Sequence, residues 1–486
     1  MVAPEITAIL KDRIGDRSAP VDQDHLRAIA AWPNEMTAAY TRAEHYYDGD
    51  QGTQLTDRAK QYLERSGLAY TENFCETVVD AMSDRLALAG VNCEDELLSE
   101  WLWNVWDRSH MDAGQATLHT ETVKLGDGYL LIDWDGTAGR PRFTYNSPTI
   151  VRCDYRDGQK VRAVKVWDTD EPSPVNPKGA VVKRMNIYLP GRIEKWFRLS
   201  ADDPGDWVEW LDEGETVWPS PWVTADGKPL GIPVVHFTNR RGARQYGVSE
   251  IRGTIPQQDR LNKELLDLSA VLDTMGYPQR YASGIDIQTM LKTAPGEVWR
   301  SANEKTAWGQ FESADPAGPL AAIEATLLRI AARSRTPAHM IVLSGGAPSG
   351  ESLKTAEAGL VAKCKRFGTE NGAQYDEAFR LAVRVAATFG TEKPPVDPKA
   401  LDRIAINPRW TDPETRNEKE HMESLLVMQT LGVSTDTLLS MIPGIDPAAE
   451  REKKTLNDQQ AGASLVDALL RGGNANPAEP GQGGMP

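Results

Sequence analysis

Cysteine is scarce in this sequence, and the few cysteines are widely separated. Cys75, Cys93, Cys153 and Cys364 are the four cysteines among 486 residues, and no two of them form a C-x-x-C pair. Zinc sites and disulfide frameworks normally show closely spaced cysteines. We therefore expect neither, and we predict buried free thiols of the kind found in a reducing compartment.

Long apolar runs and runs of basic residues are also missing. No window contains the ~18 to 20 apolar residues of a membrane helix, and residues 1–13 carry charges instead of the apolar stretch of a signal peptide. The chain has 54 basic and 70 acidic residues, a net charge of −16. Proteins that grip DNA normally carry a basic patch. The composition predicts no membrane association and no tight binding of DNA, although DNA could pass along such a surface.

The motifs of common enzyme active sites are absent, including HExxH, GxSxG and the Rossmann glycine fingerprint. The nearest approach to a nucleotide-binding motif is Gly345, four residues, Gly350 and then Glu351-Ser352. A P-loop requires lysine where Glu351 stands, because that lysine reaches the β- and γ-phosphates, whereas a carboxylate would repel them. We reject ATP chemistry, expect no cofactor, and predict a flexible glycine-rich loop between two helical segments.

Two other groups of residues suggest metal chemistry only weakly. Asp133 and Asp135 flank Trp134 and could hold a metal through two carboxylates, but a hairpin turn explains them better because no third acidic residue is in register. His110 and His119 are close in sequence but lack metal-ligand spacing, and satisfied histidines are the simpler interpretation. A metal-dependent nuclease or hydrolase acting through Asp133, Asp135 or Glu351 stays open as an alternative.

The pattern of apolar residues predicts an α+β protein. Residues 23–111 have helical periodicity, with helices over 28–47, 73–88 and 94–107. Between residues 129 and 239, eight short β-branched or aromatic runs alternate with turn pairs such as Asp157-Gly158 and Pro190-Gly191. This alternation predicts antiparallel sheet inserted between helical regions.

Two long helices with an irregular segment between them are predicted next. Residues 254–276 begin with a capping threonine and end at a glycine, and residues 319–335 form the second helix. Leucines at steps of three and four define one apolar face on the first helix, whereas Asp259, Lys263 and Asp267 lie on a more polar side. Beyond the glycine loop we predict helices over 352–367 and 373–389, a strand over 404–406, helices over 413–431, 435–441 and 447–470, and a disordered tail over 471–486.

The order of several sequence segments is typical of one protein family. The segments are Tyr46-Tyr47-Asp48-Gly49, residues 73–90, residues 126–130, residues 336–340 with 348–354, and residues 407–413. Together they resemble the portal proteins of tailed phages, specifically the portals of siphophages that infect Gram-positive hosts. The matches are distributed over roughly residues 40–430.

The resemblance implies a non-enzymatic ring, usually of twelve copies, at one capsid vertex, through which double-stranded DNA enters and leaves. It implies as partners the chain itself, DNA, the terminase large subunit, a head-completion adaptor, and the major capsid and scaffolding proteins. It places the protein in the virion, and in the host cytoplasm during assembly. A minor internal capsid protein is the other alternative, since such a protein shares the helix-rich composition.

The resemblance also implies a division of the chain. The segments are an N-terminal wing (1–250), a first stem helix (251–276), a clip (277–318), a second stem helix (319–337), a tunnel loop (338–352), wing helices with a return strand (353–412), a helical crown (413–470) and the tail (471–486).

Candidate functional residues follow from this mapping. For the tunnel loop they are Ser344, Gly345, Gly346, Ser349, Gly350, Glu351 and Ser352; for the channel face of the stem Asp259, Arg260, Lys263 and Asp267; and for partner binding at the clip Arg280, Lys292, Trp299, Arg300 and Trp308. Residues 254–276 of the first stem helix carry two basic and four acidic residues, and an acidic lining suits a channel that must pass a phosphate polymer without retaining it.

Overall fold

The structure is a computed structural model, and the chain divides into two units, Met1–Glu414 and Thr415–Pro486. It describes residues 21–51, 72–172, 176, 179, 181–199, 205–276, 280–284, 304–312, 315–342, 350–391, 393–414, 418–442, 450–451 and 453–455. Within these ranges, no helix combines the length and the apolar character needed to cross a membrane.

Within the described residues, five helices and one strand precede the main sheets. They are α1 (Gln23–Ala30), α2 (Asn34–Tyr47), α3 (Cys75–Ser83), β1 (Leu88–Cys93), α4 (Glu96–Arg108) and α5 (Met111–Leu125). The Asp22 and Asp95 carboxylates accept hydrogen bonds from backbone N–H groups in the first turns of α1 and α4, which explains where these helices begin. The prediction of one helix over 28–47 is wrong, because a break that includes Pro33 separates α1 from α2.

The predicted antiparallel sheet is confirmed and consists of two sheets. Strands β2 (Asp127–Asp135), β3 (Arg140–Asn146) and β10 (Val234–Thr238) form a three-stranded sheet in the order β10-β2-β3. The larger sheet has the order β4-β5-β6-β7-β8, with β9 paired to β7; its strands are β4 (Val151–Arg156), β5 (Gln159–Thr169), β6 (Val182–Leu189), β7 (Arg192–Leu199), β8 (Val208–Glu209) and β9 (Ser220–Pro221). The Asp157-Gly158 turn has φ angles of 52° and 78°, as a tight hairpin requires.

The two long helices are also confirmed. They are α6 (Ile255–Gly276) and α7 (Ala317–Ser334), and they pack against each other. The segment between them contains two short antiparallel strands, β11 (Arg280–Ser283) and β12 (Ala307–Gln310), with Arg280 opposite Gln310 and Ser283 opposite Ala307. Residues 285–303 of this segment lie outside the described residues.

The two helices predicted over 352–367 and 373–389 are in fact one helix of 40 residues, α8 (Gly350–Phe389). Gly368 and Gly372 suggested a break, since glycine weakens a helix. Burial overrides that preference: Phe367, Asn371 and Tyr375 are almost fully buried on both sides of the glycines. At Gly368 an added Cβ would lie 3.3 Å from the Trp410 ring, so the glycine allows close packing of that side chain.

A second correction concerns the residues that follow α3. The predicted helix over 73–88 ends at Ser83, and β1 pairs with β13 (Ile406–Trp410), a strand more than 300 residues away in sequence. The strand predicted at 404–406 therefore begins at Ile406 and runs to Trp410. Pairing across such a distance leaves no local sequence signal.

Two main apolar clusters form the core of the first unit. One combines α4, the three-stranded sheet and the C-terminal half of α8, and the other combines α2, α3, α5, α6, α7 and the N-terminal half of α8. Cys75, Cys153 and Cys364 are buried free thiols, as expected, whereas Cys93 is only half-buried. Burial raises the thiol pKa of Cys75 and of Cys153 to about 12, so both are protonated at neutral pH.

The second unit contains helices α9 (Glu418–Thr430) and α10 (Thr435–Ser440). Ser434 caps α10 by accepting a hydrogen bond from the backbone N–H of Thr437. The helix predicted over 413–431 is shorter than expected. Most of the helix predicted over 447–470, and the whole of the tail over 471–486, lie outside the described residues.

Candidate functional site

Helices α6 and α7, the strands between them and the residues at their base form the candidate functional site. Leu261 of α6 and Ile323 and Ile330 of α7 belong to the same buried cluster. The Thr326 hydroxyl donates a hydrogen bond to Glu264 Oε2 over 2.7 Å and ties the two helices together. The apolar face predicted for α6 is thus buried in its first half, whereas Leu272 is 51% exposed near its end.

Three of the four predicted channel-face residues lie on an exposed side of α6. Arg260 pairs with Glu264, and Lys263 pairs with Asp267 at 2.9 Å. The side chains of Arg260, Lys263 and Asp267 are all more than half exposed. The exposed charges are therefore locally balanced by pairs four residues apart, which holds them along the helix surface.

Asp259 departs from that expectation. Its carboxylate is half-buried and accepts a hydrogen bond from the Tyr46 hydroxyl over 2.5 Å. Burial and this hydrogen bond raise the pKa of Tyr46 to about 12. Asp259 therefore contacts α2 instead of sharing the exposed face, and Tyr46 belongs to the Tyr-Tyr pair that the sequence singled out.

Buried amides hold the first half of α6 against the chain that leads into α3. Gln258 is fully buried; it accepts a hydrogen bond from the Phe74 N–H over 2.9 Å and donates one to the Glu72 carbonyl over 2.6 Å. Asn262, one turn later, accepts from the Glu72 N–H. These bonds join the backbone of Glu72 and Phe74 to two side chains of α6, so they fix the direction of α6.

A buried ion pair connects the start of α6 to the end of α7. Lys363 of α8 donates from Nζ to Glu250 Oε1 over 2.9 Å and to the Ser334 carbonyl over 2.6 Å. Glu250 lies just before α6, and Ser334 is the last residue of α7. Only 7% of the Lys363 side chain and 4% of the Glu250 side chain are exposed. One ammonium group therefore fixes the start of α6 and the end of α7 to the same point on α8.

A second buried pair lies two turns earlier on α8. Both guanidinium nitrogens of Arg85 donate to the Glu357 carboxylate over 3.0 Å, and Nη1 also donates to the Pro413 carbonyl over 3.1 Å. His339, in the short helical turn after α7, lies 3.9 Å from the same carboxylate. Together the pairs at Glu357 and Lys363 anchor the residues on both sides of the glycine-rich segment.

The glycine-rich segment itself is described only in part. Ser344, Gly345, Gly346 and Ser349 lie outside the described residues. Gly350, Glu351 and Ser352 form the first turn of α8, and Ala338–Met340 form a short helical turn. Helical structure therefore extends into both ends of the segment 338–352, and its role as a tunnel loop stays a prediction.

The strands β11 and β12 carry exposed aromatic side chains. Tyr281 is 48% exposed, Trp308 40% and Phe311 57%, and the rings of Tyr281 and Phe311 lie 5.1 Å apart. The Tyr281 ring covers Gly309, its cross-strand partner, where a Cβ would clash with it. Of the predicted partner-binding residues, Trp308 is on this surface and Arg280 begins β11, whereas Lys292, Trp299 and Arg300 lie outside the described residues.

The metal-dependent alternative finds no support in this geometry. Asp133 forms an ion pair with Arg142 at 2.9 Å, and Asp135 accepts hydrogen bonds from the N–H groups of Thr137 and Ala138, as a hairpin turn predicts. Among the described residues, no three His, Cys, Asp or Glu side chains cluster closely enough to hold a metal ion.

His110 and His119, the two histidines considered as metal ligands, have the following surroundings. His119 is fully buried, with Nδ1 2.7 Å from the Leu86 carbonyl and Nε2 2.7 Å from the Tyr375 hydroxyl. It is therefore a satisfied core histidine, as predicted. His110 has a left-handed backbone, φ 56°, at the start of α5.

Sequence reasoning missed the residues that anchor the helix pair, including Glu250, Gln258, Glu357 and Lys363. Lys363 did leave a signal. It stands between Leu360 and Phe367 on the apolar side of α8, where a lysine is rare unless it is paired. Its partner Glu250 lies 113 residues away and has no comparable signal.

Comparisons with known proteins agree with one another. The family model described as "Phage portal protein, SPP1 Gp6-like" matches residues 29–464. The portal protein of Mycobacterium phage D29 is 24% identical over 464 residues, covering 90% of this chain and 88% of the relative. That of Mycobacterium phage L5 is 24% identical over 401 residues, covering 76% and 74%.

Among solved structures, a chain titled "Neck of native GTA particle computed with C12 symmetry" aligns with a TM-score of 0.41 at 14% identity. The alignment covers 81% of this chain and 95% of that one.

Proposed function

This chain belongs to the phage portal protein family, SPP1 Gp6-like, and we propose that its copies form a closed ring at one vertex of the capsid, through which double-stranded DNA is packaged and ejected. The protein is a structural conduit, and its residues carry no catalytic step. The net charge of −16 supports this role, because repeating an acidic chain around a ring disfavours tight retention of DNA phosphates.

The helix pair carries the proposal. The start of α6 and the end of α7 both lie at one buried ion pair, Lys363–Glu250. Strands β11 and β12 lie in the segment that joins the other ends of the two helices. We assign residues 251–276 and 319–337 to the stem and residues 277–318 to the clip. Residues 1–250 and 353–412 form the wing, and residues 413–470 form the crown.

We assign the exposed face of α6 to the channel. Arg260, Lys263 and Asp267 would line it, with Asp259 excluded because it is bonded to Tyr46. Ion pairs within the helix leave little free positive charge for DNA to bind, so a passing duplex meets a surface with weak net attraction. The residues around 344–349, which precede α8 in the chain, are proposed to reach the same channel.

We assign partner binding to the clip. Tyr281, Trp308 and Phe311 present apolar rings to solvent, and aromatic residues are enriched in the buried centres of protein interfaces. The proposed partners there are the terminase large subunit during packaging and the head-completion adaptor afterwards, with Arg280, Lys292, Trp299 and Arg300 contributing. The major capsid and scaffolding proteins are proposed to contact other surfaces, and the ring is proposed to reside in the virion after assembly in the host cytoplasm.

Electron microscopy of the purified protein tests the ring directly. Class averages in negative stain should show closed rings with a central channel, and we expect twelve copies in each ring. Particles that remain monomeric at high protein concentration would contradict the proposal.

A packaging assay tests the conduit separately. Phage particles assembled with the substitution Trp308→Ser should contain rings but package less DNA, because the substitution removes an apolar ring from the proposed partner-binding surface of the clip. As the control, Leu97→Ser removes an apolar side chain on α4 that is even more exposed, 66% against 40% for Trp308, and it should package normally. Normal packaging by both variants would refute the assignment of the clip.

A further inference from the structure

A cavity with excess positive charge lies at one end of β5. It occupies about 650 Å³ between α1 and the β4–β5 hairpin. Arg152, Arg156 and Arg162 line it, with Asp154 as the acidic residue of the lining. Three guanidinium groups against one carboxylate leave a surplus of positive charge in a protein that is acidic as a whole.

The arginines of this cavity differ in how their hydrogen-bonding capacity is used. Arg152 is buried and fully engaged, with Nε bonded to Asp154 and its terminal nitrogens bonded to the carbonyls of Ala31 and Ile29. Arg162 donates to Asp154 from Nε alone. In the part of the chain that the structure describes, the terminal nitrogens of Arg162 and the whole guanidinium of Arg156 have no protein partner.

The neighbouring charges do not cancel this surplus. Asp154 is shared between Arg152 and Arg162, so it cannot neutralise both. Lys160 on the same hairpin already pairs with Glu377. Asp157 at the turn is exposed and lies outside the cavity lining. The guanidinium group of Arg156 and the terminal nitrogens of Arg162 therefore favour an anionic group that enters from outside this chain, and planar guanidinium groups suit carboxylates especially well.

The other end of β5 is acidic. Asp168, Asp170 and Glu171 lie within four residues of one another, and all three are exposed. Asp168 has a partner in Lys183 at 3.7 Å. Asp170 and Glu171 form no side-chain ion pair within the described residues and stand at the edge of the larger sheet. Strand β5 has 11 residues, so its ends are separated by about 35 Å.

We propose that these two surfaces bind each other between neighbouring copies, with Asp170 and Glu171 of one copy entering the cavity of the next and pairing with Arg156 and Arg162. The inference rests on the proposed ring. A cyclic ring requires a heterologous interface, in which two different surfaces of one protomer are complementary and lie apart on it. Opposite charges at the two ends of one strand meet that requirement.

The cavity favours a peptide segment over DNA. A duplex is too wide and too stiff to enter a concave site of this size, and part of the lining is apolar, including Pro33, Val161 and Leu189. An exposed loop that projects two adjacent acidic side chains fits both the charge and the shape.

Charge reversal tests the pairing. The basic variant is Arg156→Glu with Arg162→Glu, the acidic variant is Asp170→Arg with Glu171→Arg, and the combined variant carries all four changes. The readout is the protein concentration at which half of the protomers are in rings, measured by mass photometry. We expect each reversal to raise it by about tenfold or more, because like charges then face each other, and we expect the combined variant to return to within about threefold of the unchanged protein.

Controls separate the possible failures. Arg192→Glu reverses an exposed arginine of β7 outside the cavity and should leave assembly unchanged. Arg156→Glu alone breaks no hydrogen bond within the described residues, so it replaces the basic variant if the Arg162 change disturbs folding. Circular dichroism would reveal such a disturbance. Normal assembly of both reversed variants, or no recovery in the combined variant, would overturn this inference but would not contradict the proposed ring. Absence of rings in the unchanged protein would instead overturn the proposed function.

Discussion

Replacing Lys363 with methionine should strongly destabilise the protein. The substitution keeps the length and apolar stem of the side chain but removes the ammonium group. Glu250 would then keep its negative charge in a buried position, with the Asn239 amide at 3.3 Å and the Arg240 guanidinium at 3.6 Å as its remaining partners. The Ser334 carbonyl would lose its 2.6 Å donor as well.

The magnitude follows from burial. Removing one member of a buried ion pair costs about 3 to 5 kcal/mol when the other charge stays desolvated without compensation. Both side chains here are at least nine-tenths buried, but the Asn239 amide and the Arg240 guanidinium still compensate Glu250 in part. We therefore expect Lys363→Met to cost about 3 kcal/mol, at the lower end of that range. The double variant Lys363→Met/Glu250→Gln leaves no unpaired charge and should be more stable than the single variant.

Urea unfolding at one fixed protein concentration measures the effect, since assembly makes the midpoint depend on concentration. Lys365→Met is the matched control: it removes an exposed ammonium group two residues away on the same helix and should change stability by less than about 0.5 kcal/mol. A loss below about 1 kcal/mol for Lys363→Met, or a double variant less stable than the single one, would refute the reasoning.

Three further predictions concern buried or closely packed residues. Burial lowers the pKa of His119 to about 4 from 6.5, so between these pH values the unfolded chain binds a proton that the folded chain excludes. The free energy of unfolding should therefore be highest above pH 6.5 and should fall by about 3 kcal/mol towards pH 4. Gly372→Ala should raise the free energy of unfolding by about 0.5 to 1 kcal/mol, whereas Gly368→Leu should lower it by about 1 to 3 kcal/mol. Gly309→Ala should displace the Tyr281 ring and speed hydrogen exchange in β11 and β12.

Each of these has its own measurement and control. Melting curves between pH 7.5 and 4.5 test His119, and the variant His119→Gln should flatten the dependence; an unchanged slope would contradict the assignment. Urea unfolding compares Gly372→Ala with Gly368→Leu, and equal effects would contradict the packing argument. Mass spectrometry of exchanged peptides tests Gly309→Ala. Its control is Gly318→Ala, where a Cβ has open space and exchange in the strands should not change.

Local features of this fold could be predicted from sequence because their causes are local. The eight predicted strands and their hairpins appear where β-branched runs meet turn residues such as Asp157-Gly158. The two long helices follow from apolar residues at steps of three and four with a capping signal at Thr254. The family resemblance rested on short segments in the right order, and the family match over residues 29–464 confirmed it.

The candidate site was predictable only in part. Arg260, Lys263 and Asp267 are exposed as expected, because the polar side of an amphipathic helix can be read from its spacing. Asp259 belongs to the same pattern by spacing, yet it bonds to Tyr46, 213 residues away. Spacing along one helix cannot reveal which of its polar residues meets another element.

Local sequence signals predict the order and type of most elements and indicate the family, since periodicity, turn chemistry and caps act over a few residues. Tertiary structure alone decided the pairing of β1 with β13, the continuity of α8 through two glycines, and the burial of Lys363 against Glu250. Each depends on contacts between distant residues, where burial of apolar and charged groups outweighs local preference. The residues around Gly350 show both effects: the glutamate at 351, where a P-loop requires lysine, is visible in the sequence, whereas the start of α8 at Gly350 is visible only in the structure.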